Sequence, residues 1–225
     1  KSDDKEMLQW LCSLGYVSAG INYTLFSDSN PDTNVYTQSM EIKESIPFVI
    51  EEARKLGYNI DRMAIGGGSA GGCHALLYAY RDAADSPVPV KMVFEAVGPS
   101  SFYPEDWKSY GLDKDSEAAA NLFSTMTGEE IRPEMFGTAE YDMLVKASSA
   151  LLWVNDNTVP TVMAYGTHDK FQPYDGAVRL DAALTKYNIP HEFIVHEHSG
   201  HGLQNDNKEY VKYMEKIVEY FDKYM

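Results

Sequence analysis

The chain has 225 residues, of which 44% are hydrophobic and 24% charged, so it is long enough for one large folded domain and is not disordered in composition. The formal net charge is −15, and lysine and arginine do not cluster, which argues against nucleic acid as a partner. No apolar run approaches the roughly 18 residues of a membrane span, so we expect a soluble chain and favour the cytoplasm over secretion.

Helix and strand patterns alternate through the first hundred residues. The predicted helices are residues 3–14, 39–56 and 73–82. The predicted strands are residues 16–22, 62–65 and 90–97, and the polar segment 26–34 is predicted to be a loop. Ser2 is a candidate N-cap for the first helix, and Pro47 is expected to disturb the second.

Residues 99–150 interrupt this rhythm, because prolines and glycines divide them into short helical pieces. Regular patterns then return. The predicted strands are residues 161–165 and 191–196, and the predicted helices are residues 174–187 and 206–224. Strands that alternate with helices predict an α/β fold, a mostly parallel sheet with helices on both faces. We expect residues 1–225 to form a single domain, with residues 99–150 as an irregular insert.

A glycine-rich segment between a predicted strand and a predicted helix carries the first chemical signal. Gly67-Gly68-Ser69-Ala70-Gly71 fits the G-x-S-x-G pattern, in which a serine occupies a sharp strand-to-helix turn. The N–H groups at the start of the following helix favour a developing oxyanion. This pattern makes Ser69 a candidate nucleophile.

The same segment allows two other interpretations. Gly66, Gly68 and Gly71 fit the dinucleotide-binding pattern G-x-G-x-x-G, with Glu95 as the acidic residue that such a site requires on the next strand. A purely structural glycine turn is the third. The glycine-rich segment alone leaves all three open.

The C-terminal half favours the serine hydrolase. Asp169 lies in a loop directly after the predicted strand 161–165, and His201 lies between two glycines after the strand 191–196. Both loops leave the carboxyl edge of the sheet, where sites of open α/β sheets form. A nucleophilic serine needs a base and an orienting carboxylate, and the order serine, acid, histidine is that of an α/β-hydrolase. We therefore predict the triad Ser69, Asp169 and His201.

Other histidines and carboxylates compete for these roles. His198 is the main competitor because it lies in the same loop as His201. The remaining candidates are His168, His191 and His196 for the base, and Asp156 and Asp175 for the acid. We expect these to be surface, loop or structural residues.

The two cysteines, Cys12 and Cys73, have neither disulfide-framework nor metal-ligand spacing, and both stand in apolar-periodic stretches. They are predicted to be buried free thiols. No other cluster has metal-ligand spacing, and serine acyl transfer requires no metal or organic cofactor, so we expect neither.

Residues 60–80 and 158–203 resemble the esterase/lipase group of α/β-hydrolases that includes the hormone-sensitive-lipase-like esterases and the BD-FAE, or feruloyl-esterase-like, branch. The matching motifs are Arg62-Met63-Ala64-Ile65-Gly66-Gly67-Gly68-Ser69-Ala70-Gly71-Gly72, Gly166-Thr167-His168-Asp169 and Ser199-Gly200-His201-Gly202. The resemblance implies an α/β-hydrolase fold, a serine carboxylesterase or lipase-like activity and a small-molecule ester substrate. It also implies that the Ala70 N–H is an oxyanion donor.

The chain departs from this group at one motif. The group has a His-Gly-Gly loop that supplies most of the oxyanion hole, and this sequence contains no His-Gly-Gly. By the resemblance, that loop and the group's first strands would precede Lys1, with one strand lying between residues 16–22 and 62–65. We therefore expect an N-terminally incomplete domain in which these two segments do not pair with each other, and weak or no activity from the 225 residues alone.

The sequence says least about the substrate. By the resemblance, residues 99–150 form a lid or cap that can cover the site and bind an acyl chain, a sugar or a phenolic ring. The large side chains of the insert are Phe102, Tyr103, Trp107, Tyr110, Phe123, Met126 and Phe136. An equal alternative is that they only pack the insert onto the sheet. The competing functions are a prolyl-oligopeptidase-type peptidase and a non-catalytic binding protein with this fold.

Overall fold

A computed structural model describes residues 5–225 of the chain. Its helices are α1 (Lys5–Ser13), α2 (Val35–Lys55), α3 (Ala70–Leu77), α4 (Ser116–Thr127), α5 (Ala139–Val145), α6 (Tyr174–Lys186) and α7 (Asn207–Tyr224). Its strands are β1 (Met63–Gly68), β2 (Val90–Ala96), β3 (Thr161–Gly166) and β4 (His191–His196). The predicted N-cap Ser2 lies outside the described residues. No helix within residues 5–225 is long and apolar enough to cross a membrane.

The four strands form one parallel sheet in the order β1-β2-β3-β4. The strands end in register, because Gly68 aligns with Ala96 and Gly166 aligns with His196. The loops that follow β1, β3 and β4 therefore leave from the same edge of the sheet. This edge is where the sequence placed its three candidate catalytic residues.

Helices cover both faces of the sheet. Glu95 and Phe94 are neighbours on β2, so their side chains point to opposite faces. Glu95 points towards α3, where its Oε2 lies 2.9 Å from the position that a Cβ on Gly72 would take. Phe94 packs edge-on against Phe221 of α7, with ring centroids 5.7 Å apart. The predicted parallel α/β sheet with helices on both faces is confirmed.

Helix α2 begins four residues earlier than predicted. The Asn34 side chain accepts a hydrogen bond from the Thr37 N–H at 3.0 Å, and the Thr37 hydroxyl accepts one from the Asn34 N–H at 2.9 Å. This reciprocal cap fixes the start of the helix. Pro47 lies inside the helix, which buries Ile42 and Ile46 towards α3 and the sheet.

The predicted strand at residues 16–22 is wrong. These residues form no strand, and among the described strands β1 pairs only with β2. An interior strand needs neighbouring strands for its N–H and C=O groups, whereas the Tyr16 N–H donates to the Leu11 carbonyl at 3.3 Å. Tyr16 packs against Phe221 at 4.8 Å, and Tyr23 packs against His74 at 4.7 Å. The segment and β1 do not pair with each other, and the third strand between them stays a prediction.

The two cysteines differ in burial. Cys73 is buried on α3, as predicted, and burial raises the pKa of its thiol to about 12. Cys12 is exposed, so that prediction was wrong. It lies on α1, a helix on which no described residue is fully buried. The apolar residues of this helix are therefore only partly shielded from solvent.

The insert, residues 99–150, consists of α4, α5 and three short 3₁₀ helices, Pro104–Tyr110, Pro133–Met135 and Ala150–Trp153. It has a hydrophobic cluster separate from the cluster that the sheet shares with its helices. Phe102, Phe123 and Tyr141 lie at its centre and are at most 1% exposed. Much of the aromatic content of the insert is therefore used to hold the insert together.

Candidate active site

Ser69 lies on a strained turn between β1 and α3. Its φ of 54° and ψ of −126° are unusual for a residue with a side chain. The turn is held by the Ser69 N–H, which donates to the Ala96 carbonyl at 2.8 Å. A Cβ on Gly67 would lie 2.3 Å from the Gly71 backbone, so the chain can turn this sharply only with glycine there. The tight geometry lifts the serine hydroxyl to the carboxyl edge of the sheet.

His201 bridges the serine and the acid. Its Nε2 lies 2.8 Å from Ser69 Oγ, and its Nδ1 lies 2.7 Å from Asp169 Oδ2. The Asp169 side chain is fully buried. Its second oxygen, Oδ1, accepts hydrogen bonds from the Phe171 N–H at 2.7 Å and the Gln172 N–H at 2.9 Å. These two bonds satisfy and orient the carboxylate, so it presents one oxygen to the imidazole.

His198, the competing histidine, has a different partner. Its Nδ1 lies 2.8 Å from Asp206 at the start of α7, and its side chain is 75% exposed. The Asp206 carboxylate raises the pKa of His198. A hydrogen bond from the Ser199 hydroxyl, followed by those from His198, lowers the pKa of Asp206 to about 2. This pair anchors the loop that carries His201 and does not contact Ser69.

The other competing residues lie away from the serine. His191 pairs with Asp181 at 3.1 Å, and His168 lies against the Thr167 hydroxyl at 3.0 Å. The remaining three are His196, which is buried, Asp156, which is exposed, and Asp175, which pairs with Lys108.

A pocket of about 310 Å³ opens beside Ser69, Ala70 and His201. Ala70 is the first residue of α3, where helix geometry leaves the N–H without an intrahelical partner. Apart from these three residues, the wall is formed by Pro99, Trp107, Tyr110, Leu122, Met126, Phe171 and Gln172. The pocket is therefore mostly apolar, with polar groups concentrated at its reactive end.

The large side chains of the insert have two roles. Trp107, Tyr110 and Met126 line the pocket, and Trp107 also belongs to the hydrophobic cluster of the insert. The others, Phe102, Tyr103, Phe123 and Phe136, pack within the insert. Sequence reasoning did not single out Phe171, which is 73% exposed and packs its ring 5.4 Å from that of His201. An aromatic residue two positions after the acid was the available signal.

The dinucleotide interpretation fails at Glu95. Its carboxyl group is fully buried beneath α3, where Oε2 accepts a hydrogen bond from the Gly98 N–H at 2.9 Å. Burial raises the pKa of this carboxyl to about 8. A residue that binds a ribose must reach the surface of the sheet edge, and Glu95 does not. Within the described residues, no group of three or more His, Cys, Asp or Glu side chains is arranged to hold a metal ion.

A parallel sheet, a serine on a strained turn before a helix, and a histidine and an aspartate on loops at the same edge define a site of the α/β-hydrolase type. The chain belongs to the BD-FAE family, whose family model matches residues 1–184. The predicted esterase/lipase-like α/β-hydrolase is confirmed at this level. A comparison with curated protein sequences gave no match.

Solved structures with this fold include several esterases. The thermophilic esterase Est2 from the planctomycete Thermogutta terrifontis aligns with a TM-score of 0.74 and 19% identity, over 99% of this chain and 75% of that one. The acetyl ester-xyloside bifunctional hydrolase from Caldicellulosiruptor lactoaceticus gives 0.68 and 20%, over 96% and 76%. An inhibited esterase B from Lactobacillus rhamnosis gives 0.70 and 16%, over 97% and 71%. At these identities the similarity establishes the fold.

Proposed function

We propose that this protein hydrolyses carboxylic esters through an acyl-enzyme intermediate, with Ser69 as nucleophile, His201 as general base and Asp169 as the residue that orients the histidine. The observation that carries the proposal is the continuous chain of two short contacts from Ser69 through His201 to a buried carboxylate. Such an arrangement is what a serine needs to become nucleophilic near neutral pH.

Each step follows from the atoms in the site. Ser69 Oγ attacks the ester carbonyl while His201 Nε2 takes its proton, and Asp169 stabilises the resulting imidazolium through Nδ1–H. The Ala70 N–H, at the positive end of α3, donates to the oxyanion. His201 then gives the proton to the leaving alcohol. In the second half of the reaction, a water molecule deprotonated by His201 attacks the acyl-enzyme, and His201 returns the proton to Ser69 as the carboxylic acid leaves. No step requires a metal or an organic cofactor.

The related structures support a small ester as substrate. Est2 has been solved with propionate and with butyrate bound and with tabun and sarin attached, and esterase B with a tributyrin phosphonate inhibitor. The pocket beside Ser69 in this chain is of a size typical for small ligands, at about 310 Å³. We propose an uncharged ester as the substrate.

Labelling and turnover together test the proposal. A fluorophosphonate probe is expected to label wild-type protein at Ser69, as identified by peptide mass spectrometry, and to leave Ser69→Ala unlabelled. p-Nitrophenyl acetate and butyrate measure turnover. Labelling at another residue contradicts the proposal, and so does the absence of labelling in a protein that carries the predicted upstream oxyanion loop.

The two alternative functions give different results in the same experiment. A prolyl-oligopeptidase-type peptidase would be labelled at Ser69 but would cleave a prolyl peptide amide faster than an ester. A non-catalytic binding protein would give neither labelling nor turnover.

A further inference from the structure

One side of the pocket is formed by a short segment that is tied to a different part of the fold. The 3₁₀ helix Pro104–Tyr110, here called the strap, contributes Trp107 and Tyr110 to the pocket wall. Its Asp106 and Lys108 form ion pairs with α6. The strap therefore joins the pocket wall to a helix that does not line the pocket.

The strongest tie is the pair between Asp106 and Arg179. Asp106 is 3% exposed, and its Oδ2 lies 2.6 Å from Arg179 Nε. The same oxygen accepts a hydrogen bond from the Ser101 hydroxyl at 2.5 Å. The Arg179 guanidinium also reaches Glu105 at 3.2 Å and lies 5.2 Å from the centroid of the Tyr103 ring. Arg179 thus holds the strap at Glu105 and at the buried Asp106, and it also contacts Tyr103 directly before the strap.

The second ion pair adds little to this tie. Lys108 Nζ lies 3.0 Å from Asp175, but its side chain is 61% exposed. Ion pairs in such positions contribute little because water and salt screen them. Of the ion pairs between the strap and α6, those of Arg179 therefore contribute most to holding the strap in place.

Trp107 is fixed by the same group of contacts. Its Nε1–H donates to the Ser101 carbonyl at 2.9 Å, so Ser101 joins Trp107 to Asp106. Its ring packs 5.6 Å from that of Phe123 and is 4% exposed. A displacement of Asp106 is thereby transmitted to the indole that faces the pocket.

We infer that Arg179 is a positioning residue for substrate selection: it holds the strap so that Trp107 and Tyr110 form a fixed wall for the apolar group of the ester. Arg179 does not line the pocket, so it acts through the strap and not on the reacting atoms. This inference rests on the proposed ester hydrolysis. It names the substrate class more closely, as esters with an apolar chain of several carbons, because six of the seven side chains that complete the wall are apolar or aromatic.

Two measurements on Arg179→Met test the inference. Hydrogen exchange, read by mass spectrometry, is expected to be at least about tenfold faster at residues 104–110 than in the wild type, and unchanged in α4. The KM for p-nitrophenyl hexanoate is expected to rise about tenfold, while kcat/KM for p-nitrophenyl acetate stays within about twofold. A purely structural role would reduce activity on both esters alike. Arg179→Lys keeps the charge and is expected to restore most of the hexanoate KM.

Arg132→Met is the matched control. Arg132 is an arginine of the insert that, like Arg179, has two carboxylate partners, Glu130 at 3.2 Å and Glu134 at 3.0 Å, but all three side chains are largely exposed. It is expected to match the wild type in both measurements. If Arg179→Met matches it as well, the inference is wrong.

Two further outcomes need separate controls. Arg179→Met leaves the buried Asp106 carboxylate unpaired, which destabilises a fold strongly. The double variant Arg179→Met/Asp106→Asn removes both charges. It is expected to show the same changes in hydrogen exchange and in KM as Arg179→Met. If a folded double variant gives wild-type values, the inference is overturned. If a protein that carries the predicted upstream oxyanion loop hydrolyses neither ester, the proposed function fails and the selectivity fails with it. The exchange rates still decide whether Arg179 holds the strap.

Discussion

The buried carboxyl of Glu95 is expected to make the stability of the protein fall as the pH rises from mildly acidic to mildly alkaline. Burial raises the pKa of Glu95 from 4.5 to about 8, against the smaller effect of hydrogen bonds from Tyr165 and the Gly98 N–H. Between these values the folded chain keeps a proton that the unfolded chain has released. The contribution of Glu95 to stability is therefore largest below pH 4.5, is lost as the pH rises from 4.5 through about 8, and changes no further above that.

The size of the effect follows from the pKa. Each unit corresponds to about 1.4 kcal/mol, so the whole window amounts to roughly 3–5 kcal/mol. Below pH 6.5 a second group offsets part of this loss of stability. Burial lowers the pKa of His74 from 6.5 to about 4, so the contribution of His74 to stability increases as the pH rises to 6.5. Between pH 6.5 and 8 Glu95 acts without this opposition, and we expect a loss of about 2 kcal/mol. Tyr165 and Cys73, which lie nearby, remain neutral there because burial raises the pKa of both.

Urea unfolding measured at intervals from about pH 5 to pH 9 gives the free energy of unfolding at each pH. Glu95→Gln keeps an acceptor for the Gly98 N–H and removes the titration of this carboxyl. Between pH 6.5 and 8 its free energy of unfolding is therefore expected to fall by about 2 kcal/mol less than that of the wild type. The fall that comes from His198, whose pKa Asp206 raises, is the same in both proteins. Glu215→Gln, an exposed glutamate on α7, is the control and is expected to fall like the wild type. Equal slopes for the wild type and Glu95→Gln in this window would refute the reasoning.

Three further predictions concern the serine turn and its histidine. Ser69→Ala is expected to lower kcat by about 10⁴-fold or more. Ser69→Gly is expected to be equally inactive but about 1 kcal/mol more stable than Ser69→Ala, because glycine tolerates the φ of 54°. Equal free energies of unfolding for the two variants would contradict the backbone strain at residue 69. His201→Ala is expected to lose as much activity as Ser69→Ala, whereas the kcat of His198→Ala stays within a few-fold of the wild type, measured on p-nitrophenyl butyrate. The reverse result would assign the role of general base to His198. Gly67→Ala is expected to unfold the protein, or to lower the free energy of unfolding by several kcal/mol in thermal or urea denaturation, because its Cβ would lie 2.3 Å from backbone atoms. Gly71→Ala is expected to be tolerated, because its Cβ would have no neighbour within 4 Å. Similar losses of stability in both variants would disprove the steric argument.

The sequence by itself determined the order of the elements and the type of fold, because both depend on local patterns. Apolar periodicity predicted all four strands of the sheet. The glycines around Ser69 predicted the sharp turn, since at Gly67 no other residue fits a backbone that close. Chain order also placed Asp169 and His201 on loops at the carboxyl edge of the sheet. Helix α2 began earlier than predicted although its cap, Asn34 and Thr37, was readable in the sequence.

Only the tertiary structure decided which groups meet. His198 and His201 are three residues apart in one loop, but His198 pairs with Asp206, eight residues later, and His201 with Asp169, 32 residues earlier. The apolar pattern of residues 16–22 resembles that of a strand, but a strand exists only where a neighbour supplies its hydrogen bonds, which no local pattern specifies. The burial of Glu95 and the division of the insert's aromatic residues between its core and the pocket likewise depend on what packs against them, because burial and contact are properties of the assembled fold.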